Sequence, residues 1–221
     1  MFNERKAAQI ATWFLRQAGG IMRHLKLIKL MYLAERQALR DYGFTLTGDQ
    51  VVAMPHGPVL SMTLNFINGD IESIDDGWEA WISDRANHEV ALRDRPQDQA
   101  ALDELSVAEL EILDRVWNEF GHMNQWQLRD YTHMHCPEWT DPDGSSMPIP
   151  LHRIFVALGK TQDEAKRLEA QVAEQRHIDH VFASSDDVFR HSARDSADTF
   201  WAGTRSRSHA LIRVHDQSDR I

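Results

Sequence analysis

Four residues suited to proton transfer cluster around one irregular stretch: Tyr32, Glu35, Asp49 and His56. Tyr32 and Glu35 are three apart, so on a helix they share a face. Asp49 closes the turn Thr47-Gly48-Asp49, and His56 lies within Met54-Pro55-His56-Gly57-Pro58-Val59, with a proline on each side of His56-Gly57. If that turn folds back on the helix, Glu35 or Asp49 can orient the His56 imidazole, as general acid–base catalysis requires. The same groups equally suit a hydrogen-bond network that pins a rigid loop, because buried polar groups need partners. Both readings stand, and the structural one leads.

A second cluster is His133-x-His135-Cys136. Imidazole and thiolate are zinc ligands, but a structural zinc site needs four ligands at paired spacings. This chain has one cysteine, so remote groups such as His56 or His122 would have to join. The leading expectation is a helix end, where a histidine meets terminal carbonyls and Cys136 packs as a small apolar residue. A Cys136 nucleophile is disfavoured because Pro137 removes a backbone N–H that might have stabilised an oxyanion. The sequence contains no Gly-rich phosphate loop, no G-x-S-x-G and no H-E-x-x-H. No metal and no cofactor is expected.

The elements that must position these groups read as mostly helical. Ala7, Ile10, Ala11, Phe14, Leu15 and Ala18 recur at helical spacing, and Gly19-Gly20 stops the run. A second helix, from about Met22 to Asp41, is apolar round much more than one stripe and so belongs at the centre of a bundle. Gly43 supplies its left-handed cap. Val51-Val52-Ala53 is a short β-like run, the stretch from Met54 to Val59 reads as a rigid loop, and Pro58 as the first residue of a helix reaching Asn68. Glu79 to Ser83 and His88 to Arg93 read as a hairpin. Ser106 and Glu109 form a capping box, with Leu105 and Leu110 placed as its staple; Thr161 and Glu164 form a second box. Further helices are expected over Asn124 to His133 and Leu151 to Leu158, with a Pro-rich stretch between them.

The net charge of −10 argues against non-specific nucleic-acid binding. Residues 1–48 carry +5 and residues 49–175 carry −15, so a basic start complementing an acidic body is the leading reading. A basic contact surface for a partner is the sharper alternative. One cysteine excludes a disulfide scaffold, no apolar run approaches a membrane span, and the N-terminus lacks a signal-peptide core, which together point to the cytoplasm.

Leu25-Lys26-Leu27-Ile28-Lys29-Leu30-Met31-Tyr32-Leu33-Ala34-Glu35-Arg36, then Tyr42-Gly43, Thr47-Gly48-Asp49 and Met54-Pro55-His56-Gly57-Pro58-Val59, resemble the core motif of the Panacea domain. Leu128-Arg129-Asp130, Cys136-Pro137-Glu138-Trp139 and Gly144-Ser145-Ser146-Met147-Pro148-Ile149 resemble that family's C-terminal half. The resemblance spans roughly residues 5 to 175. It implies an antitoxin of a bacterial or phage toxin–antitoxin pair, not an enzyme, that neutralises a toxin protein encoded by an adjacent gene through direct binding.

The expected architecture is therefore mostly α: a compact helical domain over 1–180 with a small β-hairpin element, and a C-terminal extension over 181–221. Candidate contacts are the Asp49 to Val59 stretch, including Gly57, Pro58 and Val59, and the basic faces of the first two helices. Phe189, Phe200 and Trp201 are the natural anchors of the extension, within which Asp187 to Thr199 reads as helix and Ala210 to Val214 as strand. Neither membrane nor nucleic acid is an expected partner. The rivals are a hydrolase or transferase using His56, Asp49 and Glu35 or the His133, His135 and Cys136 group, and an adaptor handing its partner to a protease.

Overall fold

A computed structural model describes residues 1–93 and 102–182. The expectations placed on Phe189, Phe200, Trp201, and the helix and strand beyond them lie outside these residues. The chain divides into two units, Met1–Arg176 and His177–Ile221, and the first holds the core. It is mostly helical with two small sheets.

Helix α1 (Glu4–Gln17) begins at Asn3, whose side chain accepts from the Lys6 N–H, so one free donor of the first turn is satisfied. Gly19 and Gly20 both have positive φ (83° and 97°) and turn the chain into strand β1 (Ile21–Arg23). Helix α2 (His24–Tyr42) buries every residue from Leu27 to Glu35, as its all-round apolar pattern predicts. It starts two residues later than its periodicity suggests, because Ile21–Arg23 pairs instead with β4 (Glu89–Ala91). Gly43 ends it with φ 71°.

The expected loop and Pro58-initiated helix are corrected. Strands β2 (Val51–Met54) and β3 (Gly57–Leu60) form a hairpin with Pro55 and His56 as its turn. Pro58 lies on β3, an edge strand of the order β3-β2-β5 (β5, Met147–Pro148), where a residue without an N–H is tolerated. Helix α3 (Ser61–Asn68) begins three residues after it. The expected 79–93 hairpin is likewise only partial. Trp78–Trp81 is a short helix, α4, and β4 takes β1 as its ladder partner, leaving an isolated bridge between Ile82 and Leu92.

Helix α5 (Val107–Phe120) carries the Ser106–Glu109 capping box. Helix α6 (Gln125–His135) carries another, between Asn124 and Gln127, and extends two residues past its expected end. Strand β5 (Met147–Pro148) pairs with β2, after which α7 (Leu151–Ala157) follows. Residues 162–176 of the first unit are helical (α8), opened by the Thr161–Glu164 box. The core gathers around α2, which packs against α1, α5, α6 and β3.

Candidate functional site

Lys29, Tyr32 and Arg36 succeed one another at helical spacing along one face of α2. Lys29 is fully buried, and its ammonium donates to the Pro58 carbonyl at 2.7 Å. Burial pulls its pKa down to about 7. Tyr32 donates its hydroxyl to Glu138 Oε1 at 2.5 Å, and the Arg36 Nε–H reaches the same oxygen at 2.6 Å. The Glu138 side chain is inaccessible to solvent and that of Arg36 nearly so, making this a buried ion pair braced by a phenol. Cys136 lies buried beside it, and burial raises its thiol above the ordinary range, the reverse of what a nucleophile needs.

Glu35, beside Arg36 on α2, and Asp49, in the turn before β2, hold two further segments in place. Glu35 Oε2 accepts from the N–H groups of Leu46 and Thr47 at 3.1 and 3.3 Å. Its Oε1 is buried without a hydrogen-bond partner, and burial raises the carboxyl pKa to about 7. Helix α3 has Leu60 at its N-cap, which offers no capping side chain. Asp49 replaces it from a distance. Its Oδ1 accepts from Gln50 and Met62 N–H (2.7 and 2.9 Å), and its Oδ2 from the Thr63 N–H and hydroxyl (both 2.8 Å). A carboxylate there meets both the free donors and the positive end of the helix dipole.

The Gly57-Pro58-Val59 segment is explained by what it passes over. Gly57 has φ 92°, and a Cβ there would stand 2.7 Å from both Lys29 Nζ and Thr132 Oγ1. Only glycine allows that approach. Val59 is buried. From the other side, the Trp139 indole N–H donates to the Met54 carbonyl at 3.0 Å, and the His133 ring stacks on Trp139 with centroids 4.0 Å apart.

The His56 reading is corrected. His56 is exposed at the hairpin turn, edge-on to Trp126 at 6.2 Å, while Glu35 and Asp49 are committed to backbone groups elsewhere. His133, His135 and Cys136 also diverge: His133 lies on Trp139, His135 against Tyr131, and Cys136 inside the core. Among the described residues, no three His, Cys, Asp or Glu side chains gather as a metal site would require.

The family model for the antitoxin SocA-like Panacea domain matches residues 27–140, just over half of the chain. The chain belongs to this family. No curated protein and no solved structure shows significant similarity to it. The matched stretch is narrower than the resemblance over residues 5 to 175, yet it contains both ends of the buried network, from Lys29 to Trp139.

In this Panacea domain the characteristic residues are thus mostly internal. The basic residues of the first two helices are also largely engaged: Lys6 with Glu109 at 2.7 Å, Arg5 with Asp103 at 3.0 Å, and Lys26 with the Gly121 carbonyl at 2.7 Å. They complement the acidic body, as the charge distribution suggests. Arg36 and Glu138 stand in the sequence only as members of the family motifs, with no role read for either, and Trp126 carries no reading at all. Arg36 at four residues from Tyr32 was the available signal for the first pair; an isolated surface tryptophan gives none.

Proposed function

We propose that the chain is a cytoplasmic antitoxin that neutralises a cognate protein toxin, encoded by an adjacent gene, by binding it stoichiometrically. The family match over residues 27–140 carries the reading. The geometry supports binding over catalysis: Lys29, Tyr32, Glu35 and Asp49 are buried on internal partners, and His56 is exposed at a hairpin turn, edge-on to Trp126, while Glu35 and Asp49 bond elsewhere. Among the described residues, no helix is long and apolar enough to cross a membrane.

The test is co-expression of the chain with the product of the neighbouring open reading frame, titrating one against the other. Rescue of growth that saturates near one antitoxin per toxin, with co-purification of the two proteins, is the expected result. Rescue at a small fraction of that ratio would identify an enzyme acting on the toxin or its product, and no rescue would overturn the antitoxin reading.

A further inference from the structure

At the N-terminal end of α6 the surface differs from the rest of the molecule. An open cleft of about 370 Å³ is lined by Arg23, His24, Leu25, His88, Gln125 and Trp126. Trp126 is 49% exposed, an unusual state for an indole in a chain that buries Trp78 and Trp81 almost completely. It is nonetheless held in place. The Arg129 guanidinium lies 5.1 Å from the ring centroid on one side, and the His56 ring meets it edge-on. The far wall is also ordered, since His24 Nδ1 and the His88 carbonyl are 2.9 Å apart and the two rings stack.

The charge around this cleft is locally reversed. Arg23 and Arg129 border it and Arg85 lies within electrostatic reach of His24, with the imidazoles of His24, His56 and His88 beside them. Arg23 pairs with Glu89 at 3.4 Å and Arg129 with Asp130 at 2.6 Å, so three cations stand against two carboxylates. The positive end of the α6 dipole points the same way. The surrounding chain from 49 to 175 carries −15. An aromatic anchor with arginines around it, fixed before binding, is the composition of an interface hot spot.

We propose that this cleft is a docking site for an acidic protein segment that places an apolar side chain against Trp126 and its carboxylates against Arg23 and Arg129. As the point at which the toxin is held, it rests on the antitoxin reading; as a peptide site, it stands without it. A protein segment fits better than a nucleic acid. The positive patch is confined to the cleft, which suits a segment with a few carboxylates, and the strongly acidic body around it repels a polyanion that extends past the cleft.

The full chain, wild-type and Trp126→Ala, is panned against a random peptide library, and the enriched peptides are measured in solution by fluorescence anisotropy. Expected are peptides with Asp or Glu flanking an aliphatic or aromatic residue, and affinity lowered at least about tenfold by Trp126→Ala. Arg23→Ser and Arg129→Gln should each weaken binding and its dependence on salt while leaving the melting temperature unchanged. The proposal is overturned if no acidic consensus emerges, or if the peptides bind Trp126→Ala equally well. It is also overturned if a labelled dT12 or 12-nucleotide RNA binds more tightly with the same Trp126 dependence, or if Trp126→Ala instead abolishes a dimer of the chain. Peptide binding without toxin rescue would sink the antitoxin reading alone. Rescue that survives Trp126→Ala, with no peptide consensus, would sink this proposal alone.

Discussion

The buried network around Glu138 and the cleft at Trp126 draw on the same residue types, arginine, histidine, tryptophan and carboxylate, yet use them oppositely. In the network, Arg36, Tyr32 and Glu138 satisfy one another, and His133 and Trp139 stack beneath the hairpin. At the cleft, Trp126 and His56 face solvent, and Arg23 keeps nearly half its side chain exposed while pairing loosely with Glu89 at 3.4 Å. The hairpin β2–β3 links the two: its Gly57 and Pro58 lie on Lys29, and its His56 touches Trp126. Polar groups buried on internal partners fix a fold, whereas solvent-exposed pairs around an anchored aromatic ring, such as Arg129 with Asp130 and Arg23 with Glu89, can be exchanged for contacts with another molecule. Substitutions on the two sides should therefore fail in different ways.

The largest effect is expected inside. Glu138→Ala leaves the Arg36 charge and the Tyr32 hydroxyl buried without their acceptor, which costs about 3–5 kcal/mol for such pairs. Urea denaturation measures it, and a loss below 1 kcal/mol would show that the pair is dispensable. Asp49→Ala removes the remote cap of α3 together with four hydrogen bonds. A loss of about 2 kcal/mol is expected, and amide exchange should show α3 fraying before its neighbours.

Titration of the two buried charges gives a third test. Glu35 has a folded pKa of about 7 against the ordinary 4.5, so the folded state holds the extra proton and stability falls as pH rises from 4.5 to 7. Lys29 is lowered to about 7 from 10.5, so the unfolded state binds more protons above 7 and stability rises toward 10.5. Their joint contribution is smallest near neutrality. Glu35→Gln should flatten the acid limb and Lys29→Met the alkaline limb of the urea midpoint plotted against pH. An unchanged acid limb in Glu35→Gln would place the titration elsewhere. The smallest effect belongs to His56→Ala, expected within about 0.5 kcal/mol because the ring is at the surface. A clear drop in melting temperature would mean that the hairpin turn is pinned after all.

What the sequence disclosed depended on how far apart the partners lie. The Ser106–Glu109 and Thr161–Glu164 boxes act over three residues and were legible directly. The burial of α2 followed from its own apolar pattern. Asp49 was recognised as important but not as a cap, because the helix it caps begins twelve residues later. Pro58 misled because proline is equally at home in a first helical turn and on an edge strand; only the pairing of β3 with β2 decides between them. Likewise Glu79 and its neighbours alternate like a strand, but Trp78 and Trp81 bury together as one helical turn. Glu138 lies more than a hundred residues from Tyr32 and Arg36, beyond any local pattern.

Hydrogen exchange of the free chain and of its complex with the proposed protein partner tests the division most directly. Protection gained on binding is expected at residues 23–25, 87–89 and 124–127 and around His56. The amides of 29–36 and 46–49 should already be slow in the free chain and stay unchanged. Protection gained at 29–36 and 46–49, with the Trp126 region unaltered, would contradict it and make the buried network the recognition surface.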